Sequence, residues 1–252
     1  MQDFKQCLTE NSYMRQEEFI FWDCDCQKRA RVAALLNKLA AFAGYDYDAR
    51  GLTHDVLYAQ GQVFLLSRVS LRIHRCPVAG DVLSITTWEN GAKAAHMQRL
   101  YEMTAPDGEL CVSAKTDWIL VNPITRKLLR PSSFTARPLT LCPKQIDCPE
   151  PKKILLPQDG LENLGQRRVR WSDLDGNGHL FSGNYGDYIW DALPADLQTQ
   201  TPREFFINYN REAALGDELR LTGVRQGHTY CVEGAGPHGV CFTALCVFES
   251  NC

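Results

Sequence analysis

The fold of this chain is decided by the stretch Val69-Ser70-Leu71-Arg72-Ile73-His74-Arg75, which recurs in the second half as Phe205-Phe206-Ile207-Asn208-Tyr209-Asn210-Arg211. In the first stretch apolar and polar residues alternate, which is the period of a strand with one buried face. Gly80-Asp81 follows the first stretch and Gly216-Asp217 the second, at a constant spacing of 136 positions (216 − 80 and 211 − 75). The recurrence indicates that the chain contains two copies of one structural unit.

The first copy is predicted to consist of one helix followed by an antiparallel meander. Residues 29–43 carry an apolar stripe at helical spacing, and Gly44 stands where that helix is expected to stop. The stripe consists of Val32, Leu35, Leu36, Leu39 and Phe42. A strand-like segment precedes the helix at residues 18–22, and period-two patterns follow it over 63–73, 82–88, 96–103 and 110–121. This order predicts a compact α+β unit.

A proline-rich stretch separates the two copies. Six of the chain's twelve prolines fall between residues 131 and 157: Pro131, Pro138, Pro143, Pro149, Pro151 and Pro157. Because the stretch has no sustained hydrophobic period, it is predicted to be a linker on the surface. The second copy is predicted to begin with a short strand at 168–171 and a loop. It continues with a helix carrying Tyr185, Tyr188, Ile189 and Ala192, and with strands over 204–211, 218–224, 229–233 and 240–249.

We therefore predict an α+β protein with three parts: an N-terminal repeat at residues 1–130, a linker at 131–166 and a C-terminal repeat at 167–252. Each repeat is too small to cover its own sheet, so the two repeats are expected to pack as a pseudo-symmetric pair. Trp22 and Trp171 open the two repeats in the same way.

The composition of the 252 residues is that of an ordinary globular protein, with 44% hydrophobic and 23% charged residues. A net charge of −3 excludes a generally basic protein that coats nucleic acid. Because no apolar run reaches the length of a signal peptide core or a membrane span, we expect a cytoplasmic protein without a membrane partner. The eleven cysteines form no C-x-x-C pair, so reduced thiols are favoured over a metal site at Cys24 and Cys26.

A polar loop in the second copy is the candidate functional site: Trp171-Ser172-Asp173-Leu174-Asp175-Gly176-Asn177-Gly178-His179. Asp175, Asn177 and His179 stand at alternate positions, so their side chains share a face if the backbone is extended. A helix is expected to begin near Ser182, and its first N–H groups favour negative charge. This layout suits the stabilisation of an oxyanion, although the same string also suits a capped turn without chemistry.

The difference between the two copies favours chemistry over a capped turn. At the spacing that relates the copies, Glu212 stands where the first copy has Cys76. The first copy has Asp23-Cys24-Asp25-Cys26-Gln27-Lys28 where the second has its D-x-N-x-H string. At these matching positions the Asn, His and Glu side chains therefore stand in the second copy only, which a purely structural duplication does not require.

With these motifs together, the chain resembles the acyl–acyl-carrier-protein (acyl-ACP) thioesterases, as a bacterial-type relative of the plant fatty acyl-ACP thioesterases. The resemblance covers nearly the whole length of the chain. It rests on residues 67–75, 80–88, 118–122, 125–128, 172–179 and 209–212. It implies a double hotdog fold, in which two helix-plus-antiparallel-sheet repeats pack as a pseudo-dimer.

The resemblance also implies a catalytic set, made of an Asp, an Asn and a His from the D-x-N-x-H string and a Glu from a Y-x-R-E string. The matching positions are Asp175, Asn177, His179 and Glu212. Plant members often carry Cys after this Glu, but Ala213 stands there and cannot act as a nucleophile. The implied reaction hydrolyses fatty acyl-ACP to free fatty acid and so ends chain elongation. The resemblance implies acyl carrier protein as the partner and no cofactor or metal. Because the duplication already supplies what two separate hotdog chains would, a monomer and a homodimer both remain open.

Thioester hydrolysis needs an activated water and hydrogen-bond donors for the developing oxyanion. Either Glu212 or Asp175 is expected to act as the general base, while the amide and the imidazole of the set orient the water or the substrate. Direct attack by a carboxylate, through an anhydride, is the open alternative. The backbone N–H groups near Gly183 and Asn184 are expected to hold the oxyanion.

The acyl chain is expected to lie in an apolar slot between the helix and the sheet of the first copy. Part of the helical stripe is a candidate wall of this slot: Val32, Leu35, Leu36 and Leu39. Carrier protein is acidic in general, so a basic docking surface is expected. Three clusters could provide it: Arg167, Arg168 and Arg170; Lys152 and Lys153; or Arg126, Lys127 and Arg130.

Three other functions fit parts of the same pattern. An acyl-CoA thioesterase on the same fold would differ only in the group that carries the acyl chain. A hotdog hydratase or dehydratase could also use a His with a carboxylate, but the pairing of Asn177 with His179 and the later Glu212 fit hydrolysis better. A non-catalytic acyl-binding protein would use the slot without the chemistry.

Overall fold

The computed structural model describes residues 4–137, 141–157 and 159–249. The first repeat contains β1 (Gln6–Leu8), β2 (Tyr13–Glu18), α1 (Val32–Ala49), α2 (His54–Ala59), β3 (Val63–Ile73), β4 (Val82–Lys93), β5 (His96–Thr104) and β6 (Leu110–Val121). The second contains β7 (Glu162–Arg168), α3 (Tyr185–Ala192), α4 (Ala195–Gln198), β8 (Glu204–Tyr209), β9 (Glu218–Gln226), β10 (Thr229–Gly236) and β11 (Gly239–Val247). Short 3-10 turns lie at Phe21–Asp23, Pro131–Ser133 and Trp171–Asp173.

Within the described residues, eleven strands form one antiparallel sheet in the order β1-β2-β4-β5-β6-β3-β8-β11-β10-β9-β7. Apart from β1, the order of the second repeat mirrors that of the first. The two halves meet where β3 pairs with β8, with Val69 opposite Ile207 and Leu71 opposite Phe205. These are the strands of the recurring stretch, and the predicted double hotdog fold is confirmed.

The two longer helices contact each other and share one hydrophobic core with the sheet. Leu35 and Phe42 on α1, Ile189 on α3 and Phe205 on β8 are all fully buried in this core. Because both repeats supply its side chains, neither repeat covers its apolar surface without the other. None of the helices in the described part of the chain is long and apolar enough to span a membrane.

The end of α1 differs from the prediction. Gly44 does not stop the helix, which continues to Ala49 and is followed by Gly51 with a φ of 75°. The last turn is held by tertiary contacts, since the buried Asp46 carboxylate is ion-paired with Arg99, Oδ2 to Nη1 at 2.9 Å. The left-handed conformation of Gly51 then ends the helix in the usual way. A glycine inside α1 leaves room beside the helix, which matters for the site.

The strands predicted at 18–22 and 168–171 are wrong in position. β2 ends at Glu18 and β7 at Arg168, and each is followed by a 3-10 turn. An aspartate ends each turn and accepts a backbone N–H three residues earlier, at 3.2 Å for Asp23 and 2.8 Å for Asp173. The turns therefore align Phe21, and not Trp22, with Trp171. Residues 162–166, assigned to the linker from the sequence, belong to β7.

Residues 147–154 of the predicted linker cross the sheet on the face opposite the helices, whereas Phe134 near its start packs with Leu57 of α2. Ser70 and Asn208 alternate with core residues and are buried on that face. The Ser70 hydroxyl donates to the Pro149 carbonyl at 2.6 Å, and the Asn208 amide donates to the Lys152 carbonyl at 2.9 Å. The linker backbone thus satisfies polar side chains of the central strands. Residues 138–140 and 158 of the predicted linker, like 1–3 and 250–252 of the repeats, lie outside the described residues.

A close approach of α1 and α3 gives a stability prediction. A Cβ on Gly186 would lie 2.7 Å from the backbone nitrogen and 2.8 Å from the Cα of Ala33. Gly186→Ala is therefore expected to lower the free energy of unfolding by about 1–3 kcal/mol, measured by urea denaturation. Gly44→Ala is the matched control, because no described atom lies within 4 Å of its added Cβ. It is expected to be neutral or stabilising by up to about 1 kcal/mol, and equal losses in both variants would contradict the prediction.

Candidate active site

The D-x-N-x-H string forms a tight loop and not an extended segment. The Asp175 N–H donates to the His179 carbonyl at 2.8 Å, and Gly178 adopts a left-handed φ of 79°. The Asp175 Oδ1 atom accepts the backbone N–H groups of Asn177 at 2.8 Å and of His179 at 3.2 Å. One carboxylate oxygen of Asp175 is therefore used to hold the loop. Nevertheless, the three side chains still line one cavity.

The loop is joined to the segment after β8, which brings the fourth predicted residue to the site. His179 forms an isolated β-bridge with Ala214. The His179 Nε2 atom lies 3.4 Å from the Glu212 Oε2 atom, and the two side chains are 30% and 34% exposed. All four predicted residues, Asp175, Asn177, His179 and Glu212, line the same cavity of about 960 Å³. An imidazole and a carboxylate in such contact can bind and orient a water molecule between them.

A fifth polar residue at this site was not predicted as part of it. The Arg126 Nη2 atom donates to the Glu212 Oε2 atom, so the carboxylate contacts both a guanidinium and an imidazole. Arg126 also lines the cavity, and its φ of 58° is unusual for a residue with a side chain. From the sequence Arg126 was assigned only to a basic docking cluster. The local sequence carries no signal that it would reach a carboxylate in the other repeat.

The start of α3 differs in part from the prediction. Asn184 occupies the N-cap position, but its side chain donates to the Asp173 carbonyl at 3.1 Å and does not cap the helix. The oxyanion role expected for the Asn184 N–H is wrong, because that group donates to the Phe181 carbonyl at 2.9 Å. The N–H groups of Ser182 and Gly183 have no acceptor within the described residues. Ser182 also lines the cavity.

A buried tyrosine fixes this corner of the site. The Tyr209 hydroxyl donates to the Ser182 carbonyl at 2.9 Å. Burial raises the pKa of Tyr209 well above its usual value, with a smaller contribution from Tyr185. The phenol therefore stays protonated and keeps its donor, which holds the backbone before α3 in place.

The cavity extends from the polar site into the first repeat. Its walls are the small residues Ala40, Ala43 and Gly44 on α1 and apolar side chains of the sheet, Phe64, Leu66, Met97 and Trp118. The wall predicted from the helical stripe is wrong: Val32, Leu35, Leu36 and Leu39 are buried in the common core. The slot thus lies beside the C-terminal half of α1, where small side chains leave space that the stripe does not.

The far end of the slot is charged. The Tyr47 hydroxyl donates to the Glu89 Oε1 atom at 2.7 Å, and Glu89 also contacts the buried Arg99. Burial raises the pKa of Tyr47, and the neighbouring Glu89 carboxylate adds to this effect. Because these groups satisfy one another, they form a polar floor that an apolar chain has no reason to displace.

The first repeat keeps the loop without the proposed chemistry. The Asp25 N–H donates to the Arg29 carbonyl at 2.8 Å, and the Gln27 N–H donates to the Asp25 Oδ1 atom at 2.8 Å, as in the second repeat. Arg29 stands in the place of His179 and is ion-paired with Asp25 Oδ2 at 2.9 Å. Cys76 stands in the place of Glu212, and burial raises the pKa of its thiol to about 11. The predicted asymmetry between the copies is thus present in three dimensions.

The described residues contain no group of three or more His, Cys, Asp or Glu side chains arranged to hold a metal ion. The polar groups at the site are amide, imidazole, carboxylate and guanidinium groups, and the Asn177 amide donates to the Asp175 Oδ2 atom at 3.5 Å. The arrangement can bind a polar group at its mouth and an apolar chain in its slot.

Solved structures of acyl-ACP thioesterases share the fold. The structure from Bacteroides thetaiotaomicron superposes with a TM-score of 0.86, at 23% sequence identity over 94% of this chain and 98% of that one. The 12:0-ACP thioesterase from Umbellularia californica gives a TM-score of 0.79, at 16% identity over 96% of this chain and 99% of that one. At these identities the likeness concerns the fold.

Sequence comparisons extend this likeness to the family. The chloroplastic acyl-carrier-protein hydrolase FATB2 of Cuphea viscosissima is 23% identical over 219 residues, which cover 81% of this chain and 53% of that protein. The chloroplastic oleoyl-acyl carrier protein thioesterase of Coriandrum sativum is 26% identical over 233 residues, covering 83% and 62%. The chain thus spans between about half and under two thirds of the length of these relatives.

Family models match most of the chain, in the order that its two repeats require. The model of the acyl-ACP thioesterase N-terminal domain matches residues 10–133, and that of the C-terminal domain matches residues 159–233. Since the two matches follow the duplication and include the loop with His179 and Glu212, the chain belongs to the acyl-ACP thioesterase family.

Proposed function

We propose that the protein hydrolyses the thioester of fatty acyl-ACP, releases the free fatty acid and so terminates chain elongation. The observation that carries the proposal is the contact of His179 Nε2 with Glu212 Oε2, 3.4 Å, at the mouth of an apolar slot. The names of the relatives, which are acyl-carrier-protein hydrolases and thioesterases, support the same substrate class. In this proposal the second repeat, 167–252, catalyses and the first, 1–130, holds the chain.

Glu212 is the better candidate for the general base. One oxygen of Asp175 accepts two loop N–H groups, so its carboxylate serves mainly to shape the loop. Glu212 instead faces His179, and a water between them could lose a proton to the carboxylate as it attacks the thioester carbon. In this proposal the Asn177 side chain, which lines the same cavity, orients the water or the carbonyl. Because a thiolate is a good leaving group, the departing sulfur needs little assistance from a proton donor.

The oxyanion is proposed to bind to the N–H groups of Ser182 and Gly183. These donors have no acceptor among the described residues, and they precede α3, whose N-terminus favours negative charge. Preorganised donors of this kind contribute about 10²- to 10³-fold to kcat in other hydrolases. Tyr209 supports them, because it fixes the Ser182 carbonyl on the same stretch of backbone.

The slot suggests a long acyl chain. Its lining residues run from Tyr209 on β8 across β3, β6 and β5 to Glu89 on β4. Four strand intervals span about 19 Å, and an extended hydrocarbon advances about 1.3 Å per carbon. We therefore expect a chain on the order of 14 carbons to reach the polar floor at Glu89.

The cluster of Arg126, Lys127 and Arg130 is the docking surface we propose for carrier protein. Of the three basic clusters predicted from the sequence, it is the one that borders the mouth, since Arg126 and Leu128 line the cavity. Arg167 is instead ion-paired with Asp191, and Lys152 lies over the Phe206 ring at 4.7 Å.

Charge reversal tests this docking surface. The double variant Lys127→Glu with Arg130→Glu is expected to raise KM for acyl-ACP about threefold to tenfold, because the carrier is acidic and rim charges act mainly on association. KM for a small acyl thioester should not change. The matched control is Lys152→Glu with Lys153→Glu, two exposed lysines away from the mouth. If both double variants raise KM alike, or if the small thioester is affected equally, this docking surface is wrong.

Release of free thiol by the purified protein tests the proposed function. Acyl-ACP, acyl-CoA and a 3-hydroxyacyl thioester are the substrates, and hydrolysis of acyl-ACP with the highest kcat/KM is the expected result. Preference for acyl-CoA would establish a CoA thioesterase instead. Water loss from the 3-hydroxyacyl thioester would indicate a dehydratase, and tight acyl binding without turnover would leave a binding protein. The homodimer and the cytoplasmic location stay predictions.

A further inference from the structure

The Glu212 carboxylate is shared between two partners in an unequal way. Its Oε2 atom accepts a hydrogen bond from Arg126 Nη2, while His179 Nε2 lies at 3.4 Å from the same atom. The oxygen atom nearest the imidazole, which would take the proton of a water held by His179, is therefore the one that the guanidinium occupies. If Glu212 is the general base, the contact with Arg126 opposes its action for as long as it lasts.

Hydrogen bonds fix the backbone of Arg126, whereas its side chain is largely exposed. The Asn122 Oδ1 atom accepts the N–H groups of Ile124 at 3.1 Å and of Thr125 at 2.8 Å, and the Arg126 N–H donates to the Asn122 carbonyl at 2.9 Å. These hydrogen bonds keep Arg126 in a left-handed backbone conformation, which is energetically costly for a residue with a Cβ. The Arg126 side chain is 63% exposed, and within the described part of the chain its one ion pair is with Glu212.

The loop lies where a docked substrate would pass. Arg126 belongs to the first repeat and Glu212 to the second, so their ion pair crosses the mouth of the slot. Lys127 and Arg130 extend the positive charge outward from it, and both are exposed. An incoming anionic group would therefore meet a guanidinium that has a single, partly exposed partner.

We propose that Arg126 is a specificity-determining residue that binds either Glu212 or an anionic group of the docked substrate. When the anion takes Arg126, Glu212 is left with His179 and can accept the proton of the attacking water. The anion is a phosphate of the substrate's carrier arm or a carboxylate of the carrier surface, both of which suit the planar donors of arginine. Thioesters without such an anion would leave Glu212 paired. This inference rests on the proposed function.

The exchange is energetically feasible. An ion pair between partly exposed side chains shifts an equilibrium by only about twofold to fivefold. A guanidinium can bind a phosphate or carboxylate in a bidentate manner, so a docked anion can compete with the contact to Glu212. The effect should accordingly be a preference among substrates and not an on-off switch.

Values of kcat/KM for acyl-pantetheine, acyl-ACP and acyl-CoA test the proposal. Wild type is compared with Arg126→Gln and with Lys127→Gln. The second variant is the control, because it removes a neighbouring positive charge that does not contact Glu212. Arg126→Gln is expected to raise kcat/KM for acyl-pantetheine, which lacks phosphate and carrier, about twofold to fivefold. It should lower kcat/KM for acyl-ACP by a similar factor or more. Lys127→Gln should lower kcat/KM for acyl-ACP and leave kcat/KM for acyl-pantetheine unchanged. Equal losses on all substrates, or no change on any, would overturn the proposal.

Acyl-CoA separates the two sources of the anion. If the substrate's phosphate takes Arg126, Arg126→Gln should lower kcat/KM for acyl-CoA as it does for acyl-ACP. If carboxylates of the carrier surface take it, acyl-CoA should respond like acyl-pantetheine. Either pattern supports the exchange and identifies its partner.

A binding cycle tests the same exchange without hydrolysis. The ligand is acyl carrier protein whose acyl chain is joined to the pantetheine arm through a non-hydrolysable thioether. Glu212→Gln removes the competitor for Arg126, so it should tighten binding about twofold to fivefold, and it should have no effect in the Arg126→Gln background. A wild type that shows this coupling but hydrolyses nothing would reject the proposed function and keep the inference. Absence of the coupling would reject the inference whatever the activity.

Discussion

Glu212→Gln is expected to lower kcat for acyl-ACP by about 10²- to 10⁴-fold, the usual contribution of a positioned general base. Glutamine keeps the size of the side chain and its ability to hold a water, but it cannot accept the proton. KM for acyl-ACP should fall by no more than about fivefold, since the slot is untouched and only the competition for Arg126 is removed. Single-turnover and steady-state rates of thiol release measure both values.

Glu218→Gln is the matched control, because Glu218 is an exposed glutamate at the first position of β9. It should leave kcat unchanged. His179→Ala should lower kcat by a factor similar to that of Glu212→Gln. The double variant should lower kcat little further, since the effects of residues that act as a unit do not add. A Glu212→Gln variant within tenfold of the wild-type kcat would exclude Glu212 as the base.

Labelled water distinguishes the two roles open to the carboxylate. If Glu212 activates water, a single turnover in oxygen-labelled water puts the label in the released fatty acid and leaves the protein unlabelled. If Glu212 attacks the thioester and forms an anhydride, later hydrolysis can leave label in its carboxylate. The arginine contact is compatible with either role, because both need the carboxylate oxygen to be freed.

Gly44→Leu is expected to lower kcat/KM for the longest accepted acyl chains by about 10- to 100-fold, because each buried methylene that is displaced costs about 0.8 kcal/mol. Gly44 lines the slot, and no described atom lies within 4 Å of its added Cβ. A leucine there would fill the space between α1 and the sheet. Chains too short to reach Gly44 should be hydrolysed as before, and the preferred length should fall.

A series of acyl-ACP substrates of increasing length measures this shift. Gly44→Ala serves as the graded control and should act in the same direction with a smaller effect. Stability should not fall, since leucine and alanine favour a helix interior over glycine. If Gly44→Leu lowers activity on short and long chains alike, the slot beside the C-terminal half of α1 is not where the chain lies.

Local periodicity was sufficient for most of the sheet. Strands β3 and β6 have the predicted bounds, because the strand-like pattern of apolar residues and the turn residues that interrupt it are local properties of the sequence. The end of α1 was missed because a contact with a distant residue, Asp46 with Arg99, holds its last turn. The two 3-10 turns were missed for a different reason, since each depends on a single aspartate that accepts a backbone N–H three residues earlier and leaves no period in the sequence.

The candidate site was also predicted only in part from the sequence. The D-x-N-x-H and Y-x-R-E strings, with the family resemblance that they carry, were sufficient to select the four proposed catalytic residues, and the difference between the two repeats supported that choice. The cavity extends into the first repeat, where the slot was predicted, but not along the apolar stripe of α1, since such a stripe has the same pattern whether it lines a cavity or a core.

What the sequence by itself determined is therefore the double repeat, the strands that pair at its centre and the residue types gathered in the later loop. Only the tertiary structure decided that Arg126 reaches Glu212, 86 positions away, and that small residues beside Gly44 open the slot. The physical reason is that contacts between distant segments depend on how two helices and a sheet pack together. Packing leaves no period in the local sequence, so such contacts become visible only once the chain is folded.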